Sequence, residues 1–464
     1  MTEQALEAAA AHAVQFLRGL PQRPVAAAAG AAELHARLGG PLPDGPSDPA
    51  EVVAQLAKLA DDGLVASAGP RYFGFVVGGS LPAALAADWL TAAWDQNAGL
   101  FVLGPAAATV EDIAAGWLTD LLGLPATATT GFVTGGHMAN FTGLAAARHH
   151  VLARAGWDVE GDGLTGAPPV EVVVGAERHV TIDAALRYLG LGSGRLRVVP
   201  TDDQGRMDAA ALPETLAACQ GPTIVCAQAG NVNTGAFDPL SAVCATAREH
   251  GAWVHVDGAF GLWAATSPAL RHLVEGVEQA DSWATDAHKW LNVPYDSGLA
   301  FVAHPEAHRT AFATVASYLL PGQASERDPD AFTPESSRRA RGFPVWAALR
   351  SLGRSGVAEL VERCCRHARR FAEVLAAEPG VEVLNQVVLN QVLVRFTDPA
   401  GDHDGRTRDV VRRVQADGGL WLGGTTWHGM AAMRISVSNW STGDADVDQA
   451  TAAILAAART PRSG

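Results

Sequence analysis

Between residues 171 and 303 the chain alternates short apolar runs with helical stretches, a regularity that few architectures accommodate. Glu171 to Val174, Arg195 to Pro200, Thr223 to Ala227, Ala252 to Asp257, Ser282 to Thr285 and Gly298 to Ala303 read as strands. Helical segments separate the first four. Strands joined by helices cross over and lie parallel, with both faces of the sheet covered. In such a sheet ligands gather at the C-terminal strand ends, so chemistry is sought there.

Several of these ends carry suitable residues. His179 follows the strand at 171–174, and Asp257 closes the strand at 252–257 ahead of the small residues Gly258-Ala259. The strand opened by Ser282 leads into Thr285-Asp286-Ala287-His288-Lys289-Trp290. Upstream, Gly131-Phe132-Val133 runs through Thr134-Gly135-Gly136-His137 into a long helix. Each feature alone is ordinary: most lysines are solvated, Gly-Gly turns are common, and a histidine at a strand end is usually a structural hydrogen-bonder. Together they suit one ligand. Lys289, set among Trp283, Trp290 and Leu291, offers an amine for a Schiff base. Asp257 offers a carboxylate to a pyridine nitrogen, and His179 an imidazole to the ring face. Gly135, Gly136 and His137 at a helix start, with Ser282, could hold a phosphate. That ligand is pyridoxal 5'-phosphate, and Ala259, Asn231 and His288 complete its expected contacts.

The chain resembles the group II pyridoxal-phosphate-dependent amino acid decarboxylases, which include the aromatic amino acid and glutamate decarboxylases. The resemblance runs from Tyr72-Phe73-Gly74-Phe75 to Arg434-Ile435-Ser436-Val437-Ser438-Asn439. Its most specific parts are His255-Val256-Asp257-Gly258-Ala259 and His288-Lys289-Trp290. It implies an α/β fold of the fold type I (aspartate aminotransferase-like) transferases, with a mostly parallel seven-stranded sheet between helices. The implied divisions are an N-terminal helical arm at 1–75, a cofactor-binding domain at 76–345 and a small C-terminal α+β domain at 346–464. It further implies a homodimer with active sites at the interface, and Arg434 near the substrate carboxylate. The expected reaction converts an L-amino acid to the amine and carbon dioxide. Tyr72, Phe73 and Phe101 favour an aromatic or other apolar side chain; an acidic substrate would need a second arginine, for which Arg71 is the candidate.

Two departures from the family pattern stand out. His137 stands where the family usually has a small hydroxyl residue. The polar segment at about 319–341 reads as a mobile loop and contains no tyrosine, whereas many members use a loop tyrosine to protonate the carbanion. Phe332 occupies or adjoins that place, a pattern that resembles aldehyde synthases, in which oxygen reacts instead. Production of an aldehyde is therefore the alternative, followed by transamination and by cofactor binding without turnover.

Lys+Arg 34 against Asp+Glu 49 leaves a net charge of −15, which disfavours nucleic acid as a partner. Five cysteines without Cys-x-x-Cys spacing point to a reducing compartment and to neither a disulfide framework nor a metal site. Met1 to Leu20 reads as an amphipathic helix, and no run approaches the ~20 apolar residues of a membrane span. A cytoplasmic protein is expected.

Overall fold

The computed structural model describes residues 2–313 and 327–461; of the loop expected at 319–341, residues 319–326 lie outside these. A strand not read from the sequence, β1 (Thr129–Val133), precedes the six expected ones, β2 (Glu171–Gly175), β3 (Arg197–Val199), β4 (Thr223–Gln228), β5 (Trp253–Asp257), β6 (Ser282–Asp286) and β7 (Gly298–Val302). They make one sheet in the order β1-β7-β6-β5-β4-β2-β3. From β3 through β2, β4 and β5 to β6 every pairing is parallel, and β7 runs antiparallel between β6 and β1. Every residue of β4, β5, β6 and β7 is buried, which explains why β4 and β7 read as nearly continuous apolar runs, while β5 and β6 bury polar residues as well.

The helix Gly136–Arg154 packs across β5, β6 and β7 through small residues, among them Ala139, Gly143 and Ala146. The helix Pro105–Leu121 begins at a proline, whose first helical position needs no N–H partner. Just before the helix Leu240–Glu249, the Asp238 carboxylate accepts from the N–H groups of Met207 and Gln228, both at 2.7 Å.

The chain divides into two compact units, Gly78–Arg369 with Asn385–Val392, and Met1–Val77 with Arg370–Leu384 and Leu393–Gly464. The first holds the seven-stranded sheet. The smaller sheet is antiparallel, in the order β10-β11-β9-β8, from β8 (Val381–Val383), β9 (Gln391–Phe396), β10 (Gly423–Trp427) and β11 (Met430–Ser436). In β10 Gly423-Gly424 has little strand propensity, and pairing with β11 supplies the order. Among the described residues no helix is long and apolar enough to cross a membrane.

Two buried histidines make stability depend on pH. Burial pushes the imidazoles of His255 and His308 down to about 3. In the unfolded chain a histidine takes its proton near pH ~6.5, so below that pH the unfolded state binds more protons and stability falls on acidification. Burial also pushes the Asp238 carboxyl up to about 6, so between roughly pH 4 and 6 the folded state holds its proton and opposes one histidine. Burial lowers His150 and His288 as well, so the histidines outweigh the one carboxyl and stability falls on acidification through that window. Urea unfolding between pH 6.5 and 4.5 measures the slope. His308→Asn should flatten it, and an unchanged slope refutes the assignment.

Candidate active site

Because β1 points the same way as the parallel run, the C-terminal ends of β1, β2, β5 and β6 open on one edge of the sheet. Gly135-Gly136 follows β1, His179 follows β2, Asp257 ends β5, and Asp286 ends β6 just before His288 and Lys289. A cavity at this edge is lined by His179, Cys226, Asp238 and Asp257, among others.

Asp257 is 5% exposed, and both carboxylate oxygens are bonded: Oδ1 accepts from Ala259 N at 3.2 Å and Oδ2 from Asn140 Nδ2 at 3.1 Å. His179 caps the helix Val180–Tyr188, with Nδ1 accepting from Thr181 N at 3.4 Å and lying 2.8 Å from Thr181 Oγ1. That leaves the proton of the neutral ring on Nε2. Lys289 Nζ lies 2.8 Å from Asp286 Oδ2. Asp286 Oδ1 in turn accepts from Gly136 N at the start of the helix Gly136–Arg154 and lies 3.2 Å from His288 Nε2. Ser297 N donates to His288 Nδ1 at 3.1 Å, so Nε2 carries the proton toward Asp286.

The backbone around this cluster is close-fitted. A Cβ on Gly78 would sit 1.9 Å from Lys289 O, and one on Gly298 would sit 2.4 Å from Gly135 Cα. Glycine at these positions lets the lysine turn and the glycine turn approach their neighbours.

The donor set fits pyridoxal phosphate. An amine, a carboxylate and an imidazole converge on one sheet edge beside a glycine turn at a helix N-terminus. There His137 Nε2 is buried with no hydrogen-bond partner among the described residues. A buried polar atom without a partner at a helix start suits an anion.

Several predicted site residues lie elsewhere or are otherwise engaged. Ser282 is not a phosphate ligand: it begins β6, about 13 Å along the strand from Asp286. Its buried Oγ bonds Trp253 Nε1 at 2.9 Å and His255 Nδ1 at 2.8 Å. Asn231 folds its own loop, accepting from Asn233 N at 2.9 Å and Thr234 N at 3.2 Å and donating to Glu177 O at 3.1 Å. Phe332 sits in a 3-10 turn, its ring beneath the Arg327 guanidinium at 4.7 Å and 5.2 Å from the His308 ring. These contacts, and the bond from His308 Nε2 to Phe332 O at 3.0 Å, tie it beside β1 rather than to Lys289. In the unit that contains them, Tyr72 stacks on Trp421 at 5.1 Å and the 1% exposed Phe73 packs edge-on against Phe371. They are packing residues there, as aromatic side chains commonly are. Arg434 belongs to that unit as well, half-buried in β11 opposite Gly423. Phe101 is half-buried in a short 3-10 turn. Ala259 backs Asp257 directly through its N–H.

Sequence reasoning gave no role to Asn140, Thr181, His255 or Asp286. A signal was present for some of them: alternation along β5 puts Trp253, His255 and Asp257 on one face.

The pyridoxal-dependent decarboxylase conserved domain matches residues 34–397. The chain belongs to this family. Tryptophan decarboxylase 1 of Oryza sativa subsp. japonica is 29% identical over 416 residues, covering 83% of this chain and 79% of that protein. Phenylacetaldehyde synthase of Arabidopsis thaliana is 25% identical over 439 residues, covering 90% and 87%. In structure the decarboxylase resembles Oryza sativa TDC with PLP and tryptamine, with a TM-score of 0.92 at 24% identity and coverage of 98% and 97%. The fold is therefore that of the fold type I decarboxylases, the cofactor is pyridoxal 5'-phosphate, and the protein is an enzyme of the carboxy-lyase class.

Proposed function

We propose that this enzyme removes carbon dioxide from an L-amino acid with an aromatic or other apolar side chain and releases the amine. The observation that carries the proposal is the meeting of the Lys289–Asp286 pair, Asp257 and His179 at one strand edge. When bound, the cofactor supplies an electron sink for the pair left as the carboxylate departs. The chain's own residues do the rest. Lys289 anchors the cofactor, and Asp286 Oδ2, 2.8 Å away, holds the proton that the amine gives up and takes back. Asp257 would hold the ring nitrogen, and His179 would hold the ring face, with its Nε2 or a loop water as the source of the proton for the substrate Cα.

Arg71 supports an apolar over an acidic side chain. Its guanidinium donates to the carbonyls of Gly419, Pro21 and Arg23, so it is committed to backbone and is no second cation for a side-chain carboxylate. A homodimer with interfacial sites belongs to the same reading, and light scattering measures it.

The deciding assay offers carboxyl-labelled phenylalanine, tyrosine, tryptophan and glutamate and measures carbon dioxide, amine and peroxide. Equal carbon dioxide and amine from an aromatic substrate is expected. Carbon dioxide with equal peroxide would replace the amine with an aldehyde, a second reading favoured by the phenylacetaldehyde synthase relative. No carbon dioxide from any of them overturns the proposal.

A further inference from the structure

Behind Asp257 runs a chain of buried side chains that the chemistry above does not use. Trp253, His255 and Asp257 share one face of β5, and His255 lies opposite Ser282 in the register between β5 and β6. Asn140 comes down from the helix Gly136–Arg154, and Gly143, one turn on, makes room for the imidazole. A Cβ at Gly143 would lie 2.7 Å from His255 Cε1. Trp253, Asn140, His255 and Ser282 are each at most 2% exposed.

The direction of every bond in this chain is determined. Indole N–H only donates, so Trp253 Nε1 gives its proton to Ser282 Oγ at 2.9 Å. From the other end, the Asp257 carboxylate only accepts, so Asn140 turns Nδ2 to it and Oδ1 to His255 Nε2, which therefore carries the imidazole proton and leaves Nδ1, 2.8 Å from Ser282 Oγ, to accept from the serine hydroxyl. His255 Nε2 donates to Asn140 Oδ1 at 2.9 Å, and Asn140 Nδ2 donates to Asp257 Oδ2 at 3.1 Å. The second Asn140 proton goes to Thr181 Oγ1 at 3.3 Å, the hydroxyl that also bonds His179 Nδ1. Turning the Asn140 amide over would aim its oxygen at the Asp257 carboxylate. The carboxylate opposes that, and the His255 tautomer reinforces the opposition because its Nε2–H would then face the amide N–H; Ser282, by donating to Nδ1, favours that tautomer.

We propose that Trp253, Ser282, His255 and Asn140 form a one-way relay that positions Asp257 for the ring nitrogen of the cofactor, with Ser282 controlling it from two side chains away. The proposal rests on the assignment of Asp257 to that nitrogen. These four are positioning residues; none touches the reacting atoms. Removing the Ser282 hydroxyl leaves His255 Nδ1 without its donor, releases the tautomer, and weakens the grip of Asn140 on the carboxylate.

The test compares pyridoxal phosphate with its 1-deaza analogue, in which C–H replaces the ring nitrogen, by equilibrium titration of the cofactor-free full-length protein. Wild type is expected to prefer pyridoxal phosphate. Ser282→Ala should lower that preference about tenfold, the scale of one hydrogen bond to a charged group. Its affinity for the analogue should stay within about twofold, since the relay acts only through the nitrogen. Ser282→Thr, which keeps the hydroxyl, should restore the preference. If wild type shows no preference, the Asp257 assignment fails. If wild type shows it and Ser282→Ala keeps it, the relay fails while that assignment stands. Should Ser282→Ala bind neither compound, Asn140→Asp is read in its place: loss of preference with the analogue still bound supports the relay, and retained preference overturns it.

Discussion

Lys289→Ala is expected to lower turnover by about a thousandfold or more, the scale on which removing a group that acts in the chemistry registers. It should also abolish the visible cofactor band that borohydride bleaches. Lys289 Nζ is the amine at the strand edge that carries Asp257 and His179, and its turn is fitted against Gly78, where a Cβ would sit 1.9 Å from Lys289 O. The variant also leaves the 2% exposed Asp286 side chain without its ammonium partner, although Gly136 N and His288 Nε2 still face it. Cofactor binding should weaken without disappearing, because the helix N-terminus and Asp257 are intact. Lys289→Arg should not rescue turnover, since a guanidinium stays protonated and forms no imine. A Lys289→Ala protein that keeps a borohydride-sensitive band sinks the anchor assignment.

Arg338→Met is expected to cost about 3–5 kcal/mol of stability, the range for breaking a buried ion pair by removing one partner. The Arg338 and Glu111 side chains are 0% and 1% exposed and approach to 2.8 Å. The guanidinium also donates to Ala98 O at 2.8 Å and to Phe132 O at 2.6 Å. One side chain thereby ties the helix Pro105–Leu121 and β1 to the segment that follows Phe332. Removing it strands the Glu111 carboxylate and two carbonyls in the interior. Adding Glu111→Leu should recover much of the loss, because the orphaned charge goes while the volume stays filled. Denaturant unfolding of the single and double variants measures both. A single-variant cost below about 1 kcal/mol, as for a surface pair, would refute the account.

The sheet was readable because a strand buried on both faces leaves an uninterrupted apolar run, as at Val172-Val173-Val174 and Thr223 to Ala227. The positions of Lys289, Asp257 and His179 were readable for a related reason: parallel strands share a C-terminal edge, so residues at their ends meet without further information. Residues that depend on a partner far along the chain were not. Ser282 was expected at the phosphate, Asn231 at the cofactor, and Phe332 at or beside the place of the loop tyrosine. Ser282 instead bonds a histidine 27 residues upstream, and Asn231 a carbonyl 54 residues upstream. The ring of Phe332 is held by Arg327 and His308.

By itself, then, the sequence determined the alternating fold and the cofactor class, and it placed Lys289, Asp257 and His179 just at or beyond strand ends, because each of these is encoded in local periodicity and in which residues end the strands. Tertiary structure alone decided which side chains stand behind them. The bond from Asn140 to Asp257 joins residues 117 positions apart, and it forms because the helix after β1 folds back over β5, where Gly143 leaves room for the His255 ring. Hydrogen bonds act over about 3 Å, and no spacing along the chain specifies which groups come that close.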